Sequence, residues 1–252
     1  MKTHFTHEYI LNPSHRVTVN LVGAGGTGSQ VLSALARMDY ALYKLGHPGL
    51  YVRVYDDDVV TDANIGRQLF RGADIGQNKA NVLVTRINTF FGVDWEAVQE
   101  RYGEKNSIAN ITITCVDNVA SRITIGKWLR KQASGIDDTK AIYWLDFGNQ
   151  LDRGQVVLGT IGKVKQPKSR KTKTEPALKC VDEMFDLTSV KDEDSGPSCS
   201  LAEALRKQDL FINSFLAQVG CDLLWKLIYN SSIDYQGAFV NLNTMNVNPI
   251  KL

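Results

Sequence analysis

The sequence lacks a C-x-x-C pair. Its four cysteines, Cys115, Cys180, Cys199 and Cys221, stand well apart, so a zinc ribbon is excluded and no structural zinc is expected. It also lacks an excess of either charge. The 29 basic and 27 acidic residues leave a net +2, which removes any global argument for nucleic acid or membrane as a partner. No stretch of about 18 apolar residues runs free of polar ones, so no spanning helix is expected. The opening residues, MKTHFTHEYILNPSHR, hold no apolar run of signal-peptide length. A cytoplasmic location with reduced thiols is the expectation.

What is present is an ordinary globular balance over 252 residues, 43% hydrophobic and 22% charged. One domain spanning 1–252 fits that length. Over the first 150 residues, strand-like and helix-like segments alternate. VTVNLV (17–22), YVRVY (51–55), ITITC (111–115) and AIYWLDF (141–147) are short, β-branched or aromatic runs. Helical periodicity fills 30–45, the stretch GQNKANVLVTRINTFFG, and 118–132. This alternation predicts an α/β fold: a mostly parallel, Rossmann-like sheet with helices on both faces, and a nucleotide-binding core over 17–150. GQVVLGTI (154–161) adds a strand. Residues 162–198 carry a basic run, KVKQPKSRKTK, and an acidic one, KDEDSG, and read as a mobile crossover loop. The basic run is read as a solvated face or as a docking surface for an acidic partner. A long helix is predicted from about 200 to 229, apolar over much of its circumference, and GAFVNLN as a last strand.

The chemistry begins between the first strand and the first helix. Gly23, Gly25, Gly26 and Gly28 form the loop G-A-G-G-T-G. Such a loop allows a tight turn and close approach of backbone to phosphate, with the helix N-terminus behind it offering free N–H groups to an anion. A turn that serves helix packing alone is the bland alternative. The second strand runs into Asp56, Asp57 and Asp58, and an acid at that place can bond ribose hydroxyls. NAD and ATP sites share both features.

Further residues separate the two nucleotides. Asn64, Arg67 and Gln68 follow the acids, and Lys79 comes twelve residues after Arg67. A triphosphate undergoing cleavage needs several cations and a metal, whereas a diphosphate needs little beyond the helix N-terminus. Arg67 and Lys79 supply two positive charges. Asp117 closes the strand ITITC, where ligands of open α/β sheets bind, and a carboxylate there can hold Mg²⁺. Asp117 or Asn118 is equally placed to cap the following helix.

The motifs GAGGTG, D-D-D-V-V with N-I-x-R-Q, GQNK and V-D-N-x-x-S-R lie in one order across roughly 17–125. Together they resemble the ThiF/MoeB/ubiquitin-activating enzyme superfamily. The tail P-S-C-S-L-A-E-A-L-R-K-Q-D-L-F-I-N is similar to that of ThiF-related proteins of plasmid-borne PRTRC cassettes. The resemblance implies ATP-dependent adenylation of the C-terminal carboxylate of a small ubiquitin-like protein, with Mg²⁺, by a homodimer. It assigns phosphate and adenosine to Gly23, Gly25, Gly26 and Gly28, and ribose to Asp56 with Asp58 beside it. The triphosphate falls to Asn64, Arg67, Gln68 and Lys79, and Mg²⁺ to Asp117. The family's R-Y-x-R-Q segment is missing; only Arg16 stands near that place. A catalytically silent scaffold and an NAD(P)-dependent oxidoreductase stay open as alternatives.

Cys199 precedes Ser200-Leu201-Ala202-Glu203, an S-x-x-E capping box. A thiol at a helix N-terminus tends toward thiolate, so Cys199 is the candidate for a thioester step, against an ordinary thiol. Cys180 lacks that signature, and Cys115 and Cys221 read as core. His4 and His7 read as surface residues.

Overall fold

The computed structural model describes residues 2–134, 136–137, 139–168, 170–187, 206 and 208–252. Two short elements, β1 (His4–Phe5) and α1 (Glu8–Leu11), lead into β2 (Val17–Val22). Then come α2 (Gly26–Lys44), β3 (Leu50–Tyr55), α3 (Lys79–Phe91), β4 (Glu96–Val98), β5 (Ile111–Thr114), α4 (Val119–Lys131), β6 (Tyr143–Asn149) and β7 (Arg153–Thr160). The described chain ends with α5 (Val181–Met184), α6 (Ile212–Tyr229), β8 (Ser232–Ile233), β9 (Tyr235–Asn241) and β10 (Asn246–Lys251).

Eight strands form one sheet in the order β10-β9-β7-β6-β5-β2-β3-β4. The pairs from β6 through β4 are parallel; β7 runs antiparallel to β6, and β9 and β10 alternate beyond it. The expected fold class is therefore the observed one. Its physical cause shows in neighbouring residues of single strands. Leu21, Val54, Leu145 and Val156 enter one apolar cluster with α2, α3 and α6, while Val22, Tyr55, Trp144 and Val157 enter a second with α4 and α5. Alternating side chains face opposite sides of a sheet, so strands buried on both faces must be apolar at most positions.

Several boundaries differ from the sequence reading. Helix α2 starts at Gly26 rather than at 30, because glycine loop and first helical turn are the same residues. Helix α6 starts at Ile212, preceded by a bend at 208 and a turn. There Asp209 accepts bonds from the Phe211 and Ile212 N–H groups, a local acceptor that fixes the entry to the helix. Residues 200–205 and 207 of the expected helix, with its capping box, lie outside the described residues, as does Cys199. Among the described residues no helix is long and apolar enough to cross a membrane.

Of the segment 162–198, the part through 187 is described, and it carries buried side chains at Val164, Leu178, Cys180, Val181 and Leu187. Its Thr174 bridges to Thr3, and Gln166 bonds the backbone of Phe5. The reading of His4 as a surface residue is corrected. His4 is fully buried, with Nδ1 on the Glu175 carbonyl and Nε2 on the Tyr143 hydroxyl. A histidine between Thr3 and Phe5 in a two-residue strand carries no sequence signal of such long-range partners.

Candidate nucleotide site

A cleft of about 520 Å³ opens at the carboxyl ends of β2, β3 and β5, the place where open parallel sheets bind ligands. Its volume suits a nucleotide-sized molecule. Gly23, Gly25 and Gly26, Asp56 and Asp58, Arg67, Gln68, Lys79 and Asp117 all line it. Segments separated by up to 94 residues of sequence, 23 to 117, are thus brought to one place.

The glycine loop is held by packing constraints. Gly23 has φ of +92°, and a Cβ there would lie 2.7 Å from the Cys115 carbonyl oxygen. Gly28 does not line the cleft. A Cβ on it would lie 1.8 Å from the Gly23 carbonyl oxygen, so its lack of a side chain lets α2 close onto the loop. No side chain caps the N-terminus of α2 at Gly25. The orphan N–H groups of the first turn therefore remain for an anion.

Asp56 fixes this loop from β3. One carboxylate oxygen accepts the Ala24 N–H at 2.6 Å and the other the Asp58 N–H at 2.9 Å. Burial pushes its pKa up, opposed by the Ala24 bond and by Lys79. Lys79 opens α3 and pairs with Asp58 at 2.8 Å. Asn64 does not line the cleft. Its Oδ1 accepts bonds from the Thr61 N–H and hydroxyl, capping a single 3₁₀ turn, Asp62–Asn64. Its acceptor is spent on holding the turn that presents Arg67 and Gln68, which leaves its Nδ2 as the group able to donate to a phosphate.

Arg67 differs from the other cations. Its Nη1 donates to the Gln208 amide oxygen at 2.6 Å, and its Nε is buried with no partner among the described residues. Burial pulls its pKa down, and no carboxylate among the described residues counters it. The Gln68 Oε1 is likewise buried without a donor among the described residues. Buried polar groups are almost always satisfied, so two orphans side by side on a cleft wall mark a place prepared for a ligand.

At the end of β5, the choice between Asp117 and Asn118 is resolved. Asn118 caps α4 by accepting the Ser121 N–H at 2.8 Å. Asp117 is exposed at the cleft mouth, with the Asn118 amide at 3.3 Å against it. Beneath it, Arg122 is buried and bonds both oxygens of Asp146 and the carbonyls of Val116 and Phe147. The Ser-Arg of V-D-N-x-x-S-R thus ties the end of β5 to β6.

Sequence reasoning missed several lining residues. Arg101, paired with Asp57 at 2.8 Å, stands at the rim beside Glu100 and Tyr102. Tyr102 packs edge-on against Tyr55 and Trp128. Asn149, Gln208 and Asn213 close the other side. A lone Asn in the apolar run F-I-N-S-F-L was the one available signal for Asn213.

The remaining named residues lie elsewhere. Arg16, at the start of β2, pairs with Asp94 and lies over the Tyr51 ring. About 20 Å of strand separates it from the glycine loop. Cys115 lines the cleft, partly buried rather than wholly core, and burial pushes its thiol pKa well up. Cys221 is core, its pKa pushed up to about 12 by burial. Cys180 is buried and far above the ordinary thiol range for the same reason. It does carry a capping signature: its N–H donates to Glu183 at 2.8 Å at the start of α5.

In comparison with known proteins, the ThiF family model matches residues 11–250. Among solved structures, PaaA superposes with a TM-score of 0.60 at 18% identity, covering 93% of this chain and 64% of that one. MccB from E. coli, solved with succinimide, gives 0.60 at 15% identity, covering 93% and 63%. The same protein with ATP gives 0.58 at 15%, covering 96% and 64%. The chain thus spans a little under two thirds of these neighbours, and the likeness is one of fold. A search of curated protein sequences finds no match. With its model matched from residue 11 to residue 250, the chain belongs to the ThiF family.

Proposed function

We propose that this chain adenylates a carboxylate with ATP and Mg²⁺, the acceptor being the C-terminus of a small ubiquitin-like protein. The observation that carries this reading is Arg67. A half-buried guanidinium with an orphan Nε and no carboxylate partner among the described residues is costly by itself. The cost is recovered when a polyanion arrives. A diphosphate held by the α2 N-terminus alone would not require it.

The residues present fit the nucleotide. The open N-terminus of α2 at Gly25 and Gly26 would hold phosphate, with Gly23 shaping the turn. Asp56, two of whose lone pairs are already used, would offer the others to ribose, with Asp58 alongside. Arg67 and Lys79 would bind the triphosphate, Lys79 exchanging Asp58 for it. The Gln68 amide would join them, as an acceptor or, turned over, as a donor. Asp117 would hold Mg²⁺, whose charge offsets that of the departing pyrophosphate.

In the reaction, an oxygen of the acceptor carboxylate attacks the α-phosphorus and forms a P–O bond. The bond from that phosphorus to the bridging oxygen breaks, and pyrophosphate leaves. The acceptor is already ionised, so no proton moves. Catalysis is alignment and charge neutralisation.

The finer parts of the proposal are a thioester on Cys199, after adenylation, and a homodimer. Exposed Phe211, Phe215 and Tyr229 on or beside α6 give a dimer apolar surface to bury. The structural neighbour E. coli MccB has been solved with ATP and with MccA, which supports a nucleotide cleft open to a second substrate. The test is mass spectrometry after incubation with MgATP and a small protein ending in Gly-Gly. A gain of one adenylyl group on that protein supports the reading, and Cys199→Ala then shows whether a covalent complex depends on that thiol. NAD binding with no ATP binding would sink it.

A further inference from the structure

Arg67 is aimed into the cleft by side chains that carry no charge. Gln208, just before α6, accepts the Arg67 Nη1 bond at 2.6 Å on the same oxygen that accepts from Asn213 Nδ2 at 2.8 Å. Asn213, in the first turn of α6, accepts on its own oxygen from the Thr27 hydroxyl at 2.9 Å and from Asn149 Nδ2 at 2.9 Å. Thr27 belongs to the first turn of α2, and Asn149 ends β6.

The direction of every bond in this chain is fixed. A guanidinium only donates, so Gln208 must present its oxygen. Asn213 must then present its NH₂ to that oxygen, which turns its own oxygen toward Thr27 and Asn149, both able to donate. Asn213 is 3% exposed, so its geometry is enforced by its surroundings. The network ties the phosphate-facing turn of α2, the end of β6 and the entry to α6 to one guanidinium.

The choice of an amide at 208 is the informative part. A carboxylate would accept the same two bonds, one from Arg67 and one from Asn213, and each charge-assisted bond is roughly twice as strong as a neutral one. It would also cancel the charge that the phosphates are to meet. Among the described residues, the cleft's other inner cation, Lys79, is already paired with Asp58.

The geometry points to Gln208 and Asn213 as positioning residues that hold Arg67 toward the nucleotide while leaving its charge unspent. This inference rests on the nucleotide reading above and deepens it. It places control of one phosphate contact at the entry to α6, outside the four motifs that carry the family resemblance.

The test is a double-mutant cycle on MgATP affinity, read by calorimetry, with thermal unfolding as the control for folding. Gln208→Met should weaken MgATP binding about five- to tenfold in the wild-type background, within the range for directly coupled side chains. It should change binding less than about twofold when Arg67 is already Met. Gln208→Glu, which keeps the shape and both bonds, should weaken binding further than Gln208→Met while leaving the unfolding temperature equal or higher. Equal losses for Gln208→Met in both backgrounds would overturn the positioning role, as would a Gln208→Glu protein that binds MgATP like the wild type. If the wild-type protein does not bind MgATP at all, the nucleotide reading falls first.

Discussion

Replacing Arg67 with Met separates a residue kept for binding from one kept for folding. In the unliganded protein the guanidinium makes one bond, to the neutral Gln208 oxygen, and its Nε makes none among the described residues. Losing one such bond costs about 1 kcal/mol. Removing a desolvated cation with no countercharge returns a similar amount. The net change in stability is expected within about 1 kcal/mol of zero, which for a chain of this size is a shift of about 2–4 °C at most. With nucleotide present the arithmetic differs, because a bond from a charged donor to phosphate contributes about 1.5–3 kcal/mol. Loss of that bond alone weakens MgATP binding by about 10- to 150-fold. The assay is a thermal-shift titration, in which the nucleotide-free baseline reports stability and the concentration dependence reports affinity. A variant that unfolds many degrees earlier yet binds MgATP with unchanged affinity would refute the reasoning and make Arg67 an ordinary structural arginine.

Three further outcomes follow from the packing. Arg122→Met should cost about 3–5 kcal/mol in urea unfolding, because it strands Asp146 as a buried, unpaired carboxylate; a loss under 1 kcal/mol would show that water reaches the pair. Gly28→Ala should destabilise by more than about 2 kcal/mol, since its Cβ would meet the Gly23 carbonyl, while Gly72→Ala, whose Cβ meets nothing within 4 Å, should be near neutral; equal effects would contradict the close approach. Cys180 and Cys221, both with thiol pKa values raised by burial, should resist a thiol reagent at pH 8 until the protein unfolds. For Cys221 the unfolded thiol ionises near 9 and the folded one near 12. Protonation therefore favours the folded state in that window, and its contribution is lost as pH rises from about 9, a loss that Cys221→Ala should remove from the alkaline limb of a stability curve.

The α/β class was legible because a strand buried on both faces must be apolar at most positions, as in VTVNLV and AIYWLDF, where the buried Asn20 and Asp146 are each satisfied by hydrogen bonds. The cleft's lining was legible in part because Asp56, Asp58, Arg67, Lys79 and Asp117 sit at strand ends, in loops or at a helix start, where a charged residue has few other reasons to be. What escaped the sequence was set by tertiary distance. Nothing in F-I-N-S-F-L says that Asn213 meets Thr27 and Asn149. Nothing in K-T-H-F says that His4 meets Tyr143. Glycine loops also mix two purposes that spacing alone does not divide: Gly28 lets backbone approach backbone, while Gly25 and Gly26 line the cleft. The same holds for Asn64, whose place beside Arg67 reflects the 3₁₀ turn it caps. Strand β10 went unread because its residues, Asn246–Lys251, are mostly exposed and carry a proline, the pattern of an edge strand rather than of a core one.

The central claim is that this cleft adenylates a carboxylate. Isotope exchange between pyrophosphate and ATP in the presence of Mg²⁺ and a candidate acceptor, beside Asp117→Ala, tests it most directly. Exchange that requires the acceptor's free C-terminal carboxylate and disappears in the variant is the predicted result. Tight MgATP binding without exchange, for every carboxylate supplied, would contradict the claim and leave the chain a nucleotide-binding scaffold.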